Sequence, residues 1–297
     1  MPLNKKKPNV VRNEMFSDEK NLSWKLYAFG LIVIFAAVYS QYVIHPGIVL
    51  GFIIVYGIPL LATTAILGRE IIKRASKNGD KALKLGFGLF GAFTIAGIFF
   101  SIVALIVLLA FAPNALSLLN KPNPVLQIPP SLAWVMTGVS IIVVGPAEEY
   151  LFRGFIYGGL LNLFHGKYWI SLAVTSSLLF AAVHLYYVTT YGVASAIPMI
   201  DLVTFGTAMA MTYYLSGGNI VVPAIIHGVY DATGFVGVAT SMTLGLLLRG
   251  ILIIIGVVFA AAYLRRKTFQ TQIPASPERV EEAPQKAPTT ENSTAIA

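Results

Sequence analysis

From Trp24 to Leu264 the chain is a succession of apolar runs with few charges between them, and a run of about 20 apolar residues is what crosses the hydrocarbon core of a bilayer as a helix. Lipid offers no hydrogen-bond partner to an exposed backbone N–H or C=O, so a spanning chain must be helical or must close into a barrel. The alternating short segments of a barrel are absent. The expected fold is therefore all-α: a polytopic transmembrane helical bundle of about eight spans. They are expected over 24–44, 46–67, 85–112, 132–164, 168–188, 196–215, 220–240 and 244–264. The fourth is longer than one crossing requires, which an interfacial first turn, a tilt or a kink at Pro146 would accommodate.

Composition agrees. Of the 297 residues 56% are hydrophobic and 11% charged, against about 25% charged in soluble domains, and the mean hydropathy is +0.74. The formal charge of +8 does not point to nucleic acid, because the basic residues flank apolar segments and are not interleaved with exposed aromatics. With no cysteine in the chain, disulfides, thiolate nucleophiles and thiolate metal ligands are excluded. The polar stretch up to Ser23 precedes an apolar run too long for a signal-peptide core, so the first helix is expected to be retained.

Lysine and arginine set the orientation. The loop 69–84 holds Arg69, Lys73, Arg74, Lys77, Lys81 and Lys84, whereas the loop 113–130 holds only Lys121, and the basic side of a membrane protein faces the cytoplasm. With an even number of spans both termini are then cytoplasmic. Arg249, near the outer end of the last span, fits this scheme less well. The expected organisation is a cytoplasmic segment 1–23, accessory helices 24–131, a core 132–264 and a disordered cytoplasmic tail 265–297 rich in Pro, Ala, Thr and Glu.

Between Leu85 and Leu264 the only acidic residues are Glu148, Glu149, Asp201 and Asp231. All fall inside expected spans, where an ionisable group is costly and by default marks a function or an internal ion pair. Arg153 follows Glu149 by four residues, so the two share a helix face and can pair; Glu148 points about 100° away and is left free for chemistry. His184 lies at a depth comparable to Glu148 if the turn between their helices centres near Gly166. His227 and Asp231, spaced i, i+4, suit a hydrogen-bonded pair or two ligands. Asp201 has no such companion, and capping or pairing is as good a reading for it as catalysis. His45 and His165 fall in turns and carry no functional expectation.

Glu148-Glu149-x-x-x-Arg153, Phe180-x-x-x-His184 and His227-x-x-x-Asp231 occur in that order on successive helices. This triplet resembles the CAAX protease and bacteriocin-processing (CPBP) family of intramembrane endopeptidases, in particular the type II CAAX prenyl proteases, over 132–240. The resemblance implies hydrolysis of a peptide bond by an activated water in a membrane-embedded cavity, with the lipid bilayer as surroundings, a peptide or a prenylated protein C-terminus as substrate, and the plasma membrane of a prokaryote as location. A carboxylate beside a histidine can accept a proton from water, so Glu148 is expected as general base with His184 orienting or sharing the proton. Glu149 and Arg153 would support the site, and His227 and Asp231 would stabilise an oxyanion or position the substrate carbonyl. Many members carry Asn where Asp231 stands, and an ionised Asp cannot donate a hydrogen bond. Asp231 is then protonated, orients His227, or ligates a metal. The family has been described both as metalloproteases and as metal-free glutamate proteases; the metal-free form is favoured here, with zinc on Glu148, His184, His227 and Asp231 as the alternative. Two other functional classes fit intramembrane charges: an ion- or proton-coupled transporter, which no inverted repeat supports, and a non-catalytic peptide-binding or immunity protein.

Overall fold

The computed structural model describes residues 22–44 and 47–272. Among these the regular structure is all helical. The principal helices are α1 (Trp24–Ile44), α2 (Val49–Arg74), α3 (Gly79–Phe111), the short α4 (Ala115–Leu119), α5 (Pro130–Leu163), α6 (Trp169–Ala182), α7 (Tyr186–Tyr191), α8 (Ala196–Ser216), α9 (Val221–Ala239) and α10 (Met242–Gln272). Seven segments are long and apolar enough to cross a membrane, with α7 and α8 forming one of them, Tyr186–Ser216; α6 is shorter. The protein is an integral, multi-pass membrane protein. Large hydrophobic side chains such as Leu61, Ile106, Phe111 and Ile142 are more than 60% exposed, as expected of surfaces that lipid covers.

Several boundaries differ from the sequence reading. The basic loop is largely helix: Arg69, Lys73 and Arg74 end α2, Lys81 and Lys84 open α3, and only a tight turn separates them. α6 stops at Ala182, so His184 lies in the turn after a helix and not within one. α10 continues past Thr268, where composition puts the tail. The rest of that tail, the segment before Leu22, and His45 lie outside the described residues.

At the basic end the turns are tied together. Ile220 and Val221 donate backbone N–H groups to Ala75 O at 2.9 and 3.2 Å, the Asn219 amide donates to Lys77 O at 2.7 Å, and Asn78 donates to Ser216 O at 2.7 Å. Asn219 is therefore buried, 1% exposed, although turn composition alone reads it as a surface residue. Gly217 and Gly218 take φ of 84° and 93°, a region that glycine enters without steric cost.

Two glycine contacts set the packing near the core. A Cβ on Gly145 of α5 would lie 2.6 Å from Gly228 N, and one on Gly228 of α9 would lie 2.6 Å from Ser140 O. Small residues let membrane helices approach backbone to backbone, and here they bring the first half of α9 against the middle of α5. Gly91 and Gly256 do the same for α3 and α10.

Candidate active site

The middle of α5 is an α-helical turn, Gly145–Glu149, between two π-helical stretches, Ser140–Val144 and Tyr150–Tyr157. Wider π turns inside α-helices are frequent at functional sites. Pro146, the expected kink, sits inside α5 just after the first π-helical stretch, at a position where it cannot donate to the helical ladder. The stretch that follows is deeply packed: every residue from Leu151 to Tyr157 is buried.

Arg153 Nη1 donates to Glu149 Oε1 at 2.8 Å, with both side chains at most 1% exposed. The pair expected from the i, i+4 spacing thus forms, in a setting where each charge depends on the other. The guanidinium also lies over the Phe180 ring at 4.7 Å. Glu149 Oε1 has a second partner that the sequence did not suggest, His227 Nδ1 at 2.7 Å. The other ring nitrogen, His227 Nε2, stands 3.6 Å from Glu148 Oε2 and 3.4 Å from Asp231 Oδ2. His227 is 4% exposed and is held edge-on by Phe180 and Phe205. It is the hub of the site.

Glu148 points away from Arg153, as the helical geometry requires, and into a cavity of about 1000 Å³. Its Oε1 accepts a 2.7 Å hydrogen bond from Tyr56 on α2. Sequence reasoning missed Tyr56, since it weighed ionisable groups only and treated residues before Leu132 as accessory; a phenol in the middle of an apolar span was the available signal. His184 lines the same cavity, but its Nδ1 is engaged by Phe180 O at 2.8 Å. No hydrogen bond between His184 and Glu148 appears among the described residues; the histidine facing Glu148 is His227. A carbonyl only accepts, so His184 Nδ1 carries the proton and its Nε2 is left as an acceptor.

Asp231 lines the cavity too. So does Asp201, whose Oδ1 accepts from Ser101 at 3.2 Å. Arg249 also reaches the cavity wall: its Nε donates to Thr233 at 3.0 Å and its guanidinium lies over Tyr230 at 4.5 Å. Its misfit with the charge asymmetry is resolved by this inward position. His165 is exposed in a turn, with φ of 50°. Among the described residues no group of three or more His, Cys, Asp or Glu side chains is placed so that it could hold a metal ion.

Residues 130–233 match the family model described as type II CAAX prenyl endopeptidase Rce1-like. Glu148, Glu149, Arg153, His184, His227 and Asp231 all lie inside the matched segment. Over this segment the chain is similar to the CAAX-protease-like CPBP family, a family of proteases. No curated protein and no solved structure matches the chain.

Proposed function

We propose, with the family of residues 130–233 as premise, that the chain is an intramembrane endopeptidase that hydrolyses a peptide bond with water activated at Glu148. The observation that carries this reading is the position of Glu148. It faces the cavity, its Oε1 is fixed by Tyr56, and its Oε2 lies 3.6 Å from His227 Nε2.

The neighbours divide the work. Arg153 compensates the buried charge of Glu149, which leaves Glu149 an acceptor for His227 Nδ1–H. His227 Nε2 is thereby aimed at the cavity side, between Glu148 and Asp231. Glu148 takes a proton from water, the water oxygen attacks the peptide carbonyl carbon, and the oxyanion accepts a hydrogen bond from His227 Nε2–H. The C–N bond then breaks as the proton held on Glu148 passes to the leaving nitrogen, giving a carboxylic acid and an amine. His184, with Nε2 as acceptor, positions the water or a substrate N–H.

The substrate is a membrane-associated peptide. The family's description favours a prenylated C-terminus, and an unprenylated peptide is the second choice. The test is purified protein incubated with matched prenylated and unprenylated membrane peptides, with products read by mass spectrometry and metal content measured on the active preparation. Cleavage by the wild type and none by Glu148→Gln is expected. Solute flux without any cleavage would favour the transporter class instead.

A further inference from the structure

Arg153 and Arg249 both lie within membrane-spanning segments, where a guanidinium is costly unless something compensates it. Arg153 has Glu149. Arg249, on α10 and outside the matched segment 130–233, has no such partner: no ion pair to it appears among the described residues. The intramembrane acids are engaged elsewhere. Glu148 accepts from Tyr56, Glu149 from Arg153 and His227, and Asp201 from Ser101, while Asp231 lies against His227 Nε2.

A long arginine near the end of a span ordinarily carries its charge out to water along its stem. Arg249 does the reverse. Its Nε donates to Thr233 Oγ1 at 3.0 Å and its guanidinium lies over the Tyr230 ring at 4.5 Å, so two residues of α9 hold the group turned inward. Its Nη2 reaches Gly234, where an added Cβ would lie 3.4 Å away. Only Nε is engaged: among the described residues neither Nη makes a hydrogen bond, and neither is fully buried.

His227, Asp231 and Gly234 are spaced i, i+4, i+7 on one face of α9, and all three line the cavity together with Arg249. Seven residues of helix rise about 10 Å, a distance that a short extended peptide segment covers. One helix face therefore carries His227 beside Glu148 and, a short reach of peptide away, the unengaged N–H groups of a fixed guanidinium. That fork matches a carboxylate in both geometry and charge, and a peptide offers a carboxylate at its C-terminus or on an acidic side chain.

We propose that Arg249 is a specificity-determining residue that binds a carboxylate of the peptide substrate and thereby sets which bond is held at Glu148. This rests on the endopeptidase reading above. A carboxylate seated at Arg249 compensates its charge, whereas an uncharged group in the same place leaves that charge unpaired.

The test uses membrane peptides identical except at their ends: one with a free C-terminal carboxylate, one amidated, and one amidated with Glu as its last residue. Cleavage by purified wild type, Arg249→Gln and Arg249→Lys is measured as kcat/KM, and binding to Glu148→Gln, with and without Arg249→Gln, as Kd. The wild type is expected to prefer a carboxylate-bearing peptide over the plain amide by about 10- to 100-fold, the size of one hydrogen bond to a charged group. Arg249→Gln is expected to bring that ratio to about one, and Arg249→Lys, which keeps the charge, to retain part of it. A preference for the free acid alone identifies the chain terminus as the group bound, and an equal gain from Glu shows that a side chain serves as well. No preference in the wild type overturns the proposal, whether or not the variants fold. So does an equal loss on all three peptides in Arg249→Gln, which is what a merely structural arginine gives. Absence of cleavage of any peptide by the wild type would instead refute the endopeptidase reading, and the Kd ratios on Glu148→Gln still decide whether Arg249 binds a carboxylate.

Discussion

His227 Nδ1 and Arg153 Nη1 meet on one oxygen, Glu149 Oε1, at 2.7 and 2.8 Å. A buried carboxylate that accepts from two donors is an orienting group, and its two partners have different neighbours. Arg153 is enclosed by Phe180 and by Gly206, where a Cβ would lie 3.1 Å from Nη2. His227 turns its second nitrogen toward the cavity.

The first prediction follows from that enclosure. Arg153→Ala leaves Glu149 in a low-dielectric interior with His227 as its remaining partner at Oε1, and a buried pair broken on one side costs about 3–5 kcal/mol. The expected outcome is a lower unfolding midpoint in detergent together with lost cleavage. Wild-type stability in this variant would show that the pair does not support the fold.

Tyr56 supplies the second. Tyr56→Phe keeps the ring and deletes the donor to Glu148 Oε1. A hydrogen bond to a charged group contributes about 1.5–3 kcal/mol, so kcat/KM is expected to fall by about 10- to 100-fold with the unfolding midpoint nearly unchanged. An unaltered kcat/KM would mean that Tyr56 does not hold the catalytic carboxylate.

How much of this site was legible in the sequence depends on how far apart its partners lie along the chain. Glu149 with Arg153 and His227 with Asp231 are four residues apart, and helix geometry alone brings each pair together. Glu149 with His227 and Tyr56 with Glu148 are joined only by the way α5 packs on α9 and α2. Local periodicity does not encode that packing. The depth argument expected His184 beside Glu148, ready to share its proton; both line the cavity, but no hydrogen bond joins them among the described residues, because α6 ends before His184 and its Nδ1 is engaged by Phe180 O. The order of the spans was readable from apolar length, although seven described segments and not eight are long enough to cross; the exact ends near Arg74 and Gly79 were not, since lysine and arginine extend helices beyond the hydrocarbon without ending them.

The third prediction tests the helix contact that creates the long-range pair. Gly228→Ala places a methyl group 2.6 Å from Ser140 O, and neither backbone can yield without moving α9 from α5. Overpacking costs about 1–3 kcal/mol, and the displacement should separate His227 from Glu149. Cleavage should drop further than the modest loss of stability accounts for. Gly138→Ala, on α5 near Ser140 with open space around it, is the control and should leave both readouts unchanged.

The last prediction concerns Asp231, whose Oδ2 lies 3.4 Å from His227 Nε2 and whose side chain is one-third exposed to the cavity. In the mechanism proposed for His227 both ring nitrogens carry a proton, and the neighbouring group accepts from the imidazolium and holds its orientation; an amide oxygen still accepts, in a weaker bond than a carboxylate makes. Asp231→Asn, which also restores the residue common in the resembling family, is therefore expected to keep activity within about one order of magnitude, whereas Asp231→Ala removes the acceptor and should lose about 10- to 100-fold, the size of one hydrogen bond to a charged group. Both variants should fold, because the residue sits at the cavity edge and leaves no buried charge behind. The measurement is kcat/KM for each variant with its metal content. Parallel loss of activity in Asp231→Asn and Asp231→Ala, with a matching loss of bound metal, would assign Asp231 as a ligand and replace the orienting role.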